Sequence, residues 1–146
     1  MHDLLSIVSS TLVGLTAGIY FSFSVVVMPS LDSMPREIAI DVMNRINSDI
    51  VSSLFMPLFW LASFVSLLSF IFHYSLYSKF AGAIYLAGML LVTAVFNVPL
   101  NNKLAEVGKQ GNEFLWDEYM RQWTRWNHVI AISSTIACAL FIVSLK

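Results

Sequence analysis

Charge is what this sequence has least of. Only 12% of its 146 residues are charged, about half of the roughly 25% usual in soluble domains. Eight Lys/Arg stand against nine Asp/Glu, so no basic excess is available to neutralise phosphates, which argues against a nucleic-acid partner. Cysteine is almost absent too. The lone Cys138 excludes an intrachain disulfide and any Cys-x-x-Cys redox centre, and with them thiol-based quinone reduction. Only three histidines are present, His2, His73 and His128, and no carboxylate falls inside a long apolar stretch. A two-histidine metal site, a carboxylate-bridged di-iron site and a haem with paired axial histidines are therefore all unsupported. The expectation is no metal and no cofactor.

What the chain does have is apolar surface. Apolar residues make up 58% of it and aromatics 14%, too much for 17 charges to keep soluble. The placement of the charges is stronger than their number. Between Asp3 and Asp32 lie 28 uncharged residues, between Asp49 and Lys79 another 29, between Lys79 and Lys103 23, and between Arg125 and Lys146 20. About 20 residues of helix cross a hydrocarbon core, so four spans are expected, near residues 4–28, 54–76, 80–99 and 127–145. Transmembrane strands would alternate in roughly ten-residue pieces, and nothing here does. The first span has no Lys or Arg before it and is too long for a cleaved signal. The expected fold is all-α: one integral membrane four-helix bundle, residues 1–146.

Spans two and three are joined tightly around residues 75–79, while the first and third connections are long, about 29–53 and 100–126. In the first, Asp32-Ser33 can cap a helix with Pro35 in its first turn. Ile38, Val42, Ile46 and Ile50 then recur every four residues, giving an amphipathic helix between spans 1 and 2. In the second, Trp116, Tyr119, Trp123 and Trp126 form an aromatic stripe, a helical extension running into span 4. The long-connection side carries Arg36, Arg45, Lys103, Lys109, Arg121 and Arg125, against Lys79 and Lys146 on the other. That bias places the long connections in the cytoplasm. Ser10, Gly14, Gly18 and Ser22 repeat at intervals of four, a small-residue face for packing inside the bundle or for a homo-oligomer through Gly14 and Gly18.

Polar groups converge at the long-connection end. Pro29, Pro57 and Pro99 read there as helix terminators or first-turn prolines. Asn97 and Asn101 are four apart and share a face, and Asn97, in the last turn of an apolar span, needs a partner. Trp123, Trp126 and Asn127 share one side of span four, and His128 follows at the same depth. Asn44 and Asn47 of the amphipathic helix come from the same side. A single imidazole suits general-base work, but a hydrogen-bonded interface histidine, tryptophan anchors and helix-bridging asparagines fit the same residues.

These segments carry a resemblance. Gly18-Ile19-Tyr20-Phe21-Ser22-Phe23 through Met28-Pro29-Ser30-Leu31, Asn44-Arg45-Ile46-Asn47, Phe96-Asn97-Val98-Pro99-Leu100-Asn101 and Trp123-Thr124-Arg125-Trp126-Asn127-His128, in that order around four spans, resemble the anthrone oxygenase family over essentially the full length. The family is one of small four-span proteins, many of them bacterial, which implies a bacterial cytoplasmic membrane. Its fungal members oxidise an anthrone to an anthraquinone with O2, without metal or flavin. The resemblance implies His128 as base, Asn97, Asn101 and Asn127 as donors to a developing oxyanion, and Trp123 and Trp126 stacking on the substrate, with Asn44 and Asn47 beside it. Family members often carry an arginine just after the last motif, where this chain reads Val129-Ile130-Ala131.

Two functions follow as expectations: a cofactor-independent oxygenase binding a hydrophobic aromatic molecule, or a non-catalytic lipid-binding or scaffold protein. The first requires a cavity running from the Asn97/Asn101/Asn127 cluster to His128. The second requires those amides to bond to one another and to helix ends, with no void between them. Ion transport is disfavoured because no charged residue lies within a span.

Overall fold

The computed structural model describes residues 2–107 and 113–146. Lys109, counted above for orientation, lies outside them. Among the described residues the fold is all-α, with five helices and no strands. Helix α1 runs over residues 2–32, α2 is Arg36–Val51, α3 is Phe55–Phe72, α4 runs over residues 76–107 and α5 is Glu113–Val143. Helices α1, α3, α4 and α5 are each long and apolar enough to cross a membrane. They pack in a ring, α1 against α3 and α5, and α4 against the same two. Exposed apolar side chains such as Phe21, Phe64, Phe80 and Ile132, one from each, form the outer belt.

Two prolines read as terminators are inside helices instead. Helix α1 passes through a π-helical turn, Phe23–Val27, into Met28–Asp32, so Pro29 is interior. Helix α4 passes through π-helical segments Leu86–Leu91 and Thr93–Asn97 into Val98–Val107, so Pro99 is interior too. A proline lacks the amide hydrogen, and its ring crowds the carbonyl four residues back. In both helices the residue just before the proline bonds five residues back, Met28 N–H to the Phe23 carbonyl and Val98 N–H to the Thr93 carbonyl. The widened turn makes room for the ring and lets the helix continue. The first and third spans are therefore longer than expected. Pro57 does sit in the first turn of α3.

The α3–α4 turn comes earlier than the sequence indicates, at residues 73–75, with α4 already helical at Leu76. His73 caps α3 in an extended conformation, and its Nδ1 accepts the Ser75 N–H at 3.0 Å. Nε2 then carries the ring hydrogen and donates to Ser6 Oγ of α1 at 3.0 Å. Ser6 also meets Ser78 Oγ of α4 at 3.1 Å and Ser144 Oγ beyond α5 at 2.9 Å. One fully buried serine thus ties the four spanning helices at the end holding both chain termini.

At the other end α2 lies across the bundle mouth, touching α1, α3, α4 and α5. It buries Ala39, Ile40 and Met43, while Ile38 and Val42 of the expected stripe are exposed. Asp32 does not cap this helix; Pro35 occupies the cap position, and Asp32 pairs with Arg36 at 3.0 Å. Arg36 also reaches Asp117 of α5 at 2.8 Å, which sets the rotation of α2 on the aromatic face beneath it. Asp32 in turn accepts the indole N–H of Trp116 at 3.2 Å. There are accordingly two cores. One, around Val13, Phe59, Tyr85 and Ile130, fills the bundle. The other, around Met28, Met43, Leu104, Trp116 and Trp123, joins α2 to the helix ends.

Of the small-residue face, Gly14 packs inside the bundle, where an added Cβ would lie 3.2 Å from Cys138 Sγ. Gly18 faces open space.

Candidate functional site

A pocket of about 520 Å³ lies between the two cores. Tyr20 and Phe59 reach it from the bundle core, Met43 and Trp123 from the mouth core. Helix α2 roofs it with Asn44 and Asn47, and α4 walls it with Thr93, Asn97 and Asn101. No Asp, Glu, Lys, Arg or His lines it among the described residues. Its polarity comes from amides, hydroxyls and the two indoles of Trp60 and Trp123. A second hollow lies on the outer face of α2, between Asp41, Arg45 and Asp49; it is built mainly on one helix, and no buried unpaired polar atom faces it.

The wall has unmet hydrogen-bonding capacity. Asn97 is 3% exposed, yet neither Nδ2 nor Oδ1 has a partner among the described residues. Trp123 Nε1, Asn44 Oδ1 and Asn47 Nδ2 are also buried without a formed hydrogen bond, the last beside the Tyr119 hydroxyl. An unsatisfied buried polar group costs about 1–3 kcal/mol. The four residues that carry these five atoms, Asn44, Asn47, Asn97 and Trp123, all line the pocket, while the atoms themselves are covered by protein. Asn101 is held differently, since its Oδ1 accepts the Tyr119 O–H at 2.8 Å. The expected pairing of Asn97 with Asn101 on one face is present, and both line the pocket.

The α5 residues divide by their angle around the helix. Trp123 turns inward and meets Phe23, with ring centroids 5.8 Å apart. Asn127, fully buried, bridges helices: its Nδ2 donates to the Tyr20 carbonyl at 2.8 Å and to Ser24 Oγ at 2.7 Å, both on α1. Trp126 leaves the inward stripe and stacks on Phe96 of α4, centroids 3.7 Å apart, with the Arg125 guanidinium 5.9 Å from its ring. Neither Asn127 nor Trp126 lines the pocket.

His128 is exposed and does not line it either. Five residues beyond Trp123, it is rotated about 140° away from the pocket-facing side. A cavity joining the asparagines to His128, which the oxygenase reading required, is not what the helix geometry produces.

The sequence reading missed Tyr20, Thr93, Phe55 and Phe59 as wall residues. Thr93 had a signal, lying four residues before Asn97 on the same face, and its Oγ1 is 3.4 Å from the Tyr20 hydroxyl. The Phe55–Phe59 pair, with centroids 6.0 Å apart, follows the same helical spacing.

A sequence profile described as anthrone oxygenase matches residues 49–140. The chain belongs to the anthrone oxygenase family. The matched region of this anthrone oxygenase family protein runs from the last turn of α2 through most of α5, taking in Asn97, Asn101 and Trp123. The stretches from Gly18 to Leu31 and from Asn44 to Asn47 lie before it. No curated protein and no solved structure matches the chain significantly.

Proposed function

We propose that this protein binds a flat, neutral, lipid-soluble aromatic molecule bearing oxygen functions, and that the site is the pocket at Asn97. The observation that carries the reading is the Asn97 amide, 3% exposed, with neither polar atom paired among the described residues, on a side chain that lines the pocket. A scaffold would pair that amide nitrogen to a helix, as the Asn127 nitrogen is paired. The uncharged wall favours a neutral guest, since a buried charge needs a counter-charge. The aromatic and apolar wall residues supply its contact surface.

The reaction proposed for the bound molecule is oxidation of an anthrone-like substrate by O2 to the corresponding quinone and water. Donation from Asn97 Nδ2 and Trp123 Nε1 to the carbonyl oxygen stabilises its enolate, the carbon proton passing to water at the mouth. The enolate carbon bonds O2, the terminal peroxide oxygen takes a proton back, and loss of water leaves the second carbonyl. Water thereby takes the proton that His128 was expected to remove, Asn97 keeps its expected role as oxyanion donor with Trp123 beside it, and Asn44, Asn47 and Asn101 line the same space. We place the protein in a bacterial cytoplasmic membrane with the α2 side inward, where Arg36, Arg45, Lys103, Arg121 and Arg125 lie.

The test is oxygen uptake by purified protein supplied with anthrone. Wild type and His128→Ala should consume O2 above the spontaneous rate, and Asn97→Leu should not. Loss in His128→Ala with retention in Asn97→Leu would contradict the assignment.

A further inference from the structure

The pocket lining includes exposed residues on two sides. At the membrane end it reaches the surface beside Ser48, Asn102 and Ala105, all exposed. The other edge faces sideways. Trp60 of α3, with Ala94 and Val98 of α4, line the pocket and at the same time stand on the outer apolar belt, Trp60 59% and Val98 44% exposed. Trp60 belongs to the stripe that continues through Phe64, Leu67 and Ile71, every member exposed.

The fold explains why this seam exists. Near the chain-termini end α3 and α4 are pressed together, so closely that a Cβ on Gly82 would strike the Ser66 carbonyl. Contact between the two helices thins out along the π-helical segments Leu86–Leu91 and Thr93–Asn97 and beyond. The gap is left on the bilayer side, whereas α2 lies across the membrane-end side.

From these relations we infer that the ligand passes between bilayer and pocket through the seam bounded by Trp60, Ala94 and Val98, and that Trp60 is its movable wall. The inference rests on the binding reading above. A guest without charge, suited to an uncharged wall, resides in the hydrocarbon and meets this edge first. Trp60 is held by an edge-on contact with Phe59, centroids 5.3 Å apart, and its outer side is uncovered by the described residues. A swing of the indole opens the seam without moving either helix.

A passage residue alters rates and leaves equilibrium unchanged, because it acts on the path and not on the bound state. The experiment mixes proteoliposomes with vesicles loaded with 1-hydroxyanthraquinone and follows tryptophan quenching by stopped flow. Ala94→Phe, which narrows the seam, should slow association and dissociation together by about tenfold with Kd unchanged. Trp60→Ala should speed both, which keeps the test valid if the first variant does not fold. Ala105→Phe, at the other edge, should leave both rates as in wild type. Slowing by Ala105→Phe and none by Ala94→Phe would overturn the inference in favour of the aqueous edge. A changed Kd without matched rate changes would make Ala94 and Trp60 ordinary wall residues and overturn it as well. If wild type itself fails to bind the probe, the binding reading falls and the passage with it.

Discussion

Asn127 of α5 donates to the Tyr20 carbonyl of α1 across 2.8 Å, and this bond separates two asparagines that look alike in sequence. Asn127 and Asn97 each sit in an apolar span, and both are buried. One amide nitrogen joins two helices; the other has no partner among the described residues, on a side chain that lines the pocket.

That difference predicts opposite effects on stability. Asn127→Leu removes two interhelical hydrogen bonds and should destabilise the bundle by about 1–2 kcal/mol. Asn97→Leu replaces an unpaired amide by an apolar group of similar size and should be neutral or stabilising without ligand. Thermal unfolding of both variants in detergent checks the pair. Equal destabilisation would mean that Asn97 has a protein partner.

Ser6 provides a second prediction, at the far end of the bundle. Its hydroxyl is the common partner of His73, Ser78 and Ser144. Ser6→Ala should lower stability by about 1–3 kcal/mol while leaving ligand affinity at wild-type level, since this cluster and the pocket lie at opposite ends of the helices. Parallel unfolding and binding curves measure both quantities.

Helix approach sets a third. Gly82→Ala would push a methyl into the Ser66 carbonyl and towards Phe70, so it should disrupt α3–α4 packing and reduce the yield of folded protein. Gly18→Ala meets nothing within 4 Å and should fold normally. Size-exclusion profiles of the two variants are the readout.

His128→Ala should be close to silent. The side chain is exposed and lies off the pocket, so affinity for a hydroxyanthraquinone and anthrone-dependent oxygen uptake should both match wild type. A loss in either would bring His128 back into the site.

Much of the architecture was legible because charge-free runs report membrane spans directly. The uncharged stretch from Asp3 to Asp32 and the helix found there coincide. The spacing of Asn97 and Asn101 likewise put them on one face, and both reached the pocket. Pro29 and Pro99 misled because residue type reports the missing amide hydrogen but not the π-helical turn that accommodates it. Sequence adjacency misled for His128: next to Asn127 in the chain, it is about 100° away around the helix. The exposed Ile38 and Val42 have a third cause, since the rotation of α2 follows from the Arg36 contacts with Asp32 and Asp117, which its own periodicity does not contain.

The central claim is that the unpaired Asn97 amide holds a neutral aromatic guest, and equilibrium titration tests it most directly. Purified wild type, Asn97→Leu and Asn127→Leu would each be titrated with 1-hydroxyanthraquinone, reading tryptophan quenching. The account predicts saturable binding by wild type and about a tenfold or greater rise in Kd for Asn97→Leu, the loss of one or two buried hydrogen bonds. Folded Asn127→Leu should stay near wild type. Equal affinity in wild type and Asn97→Leu would contradict the claim.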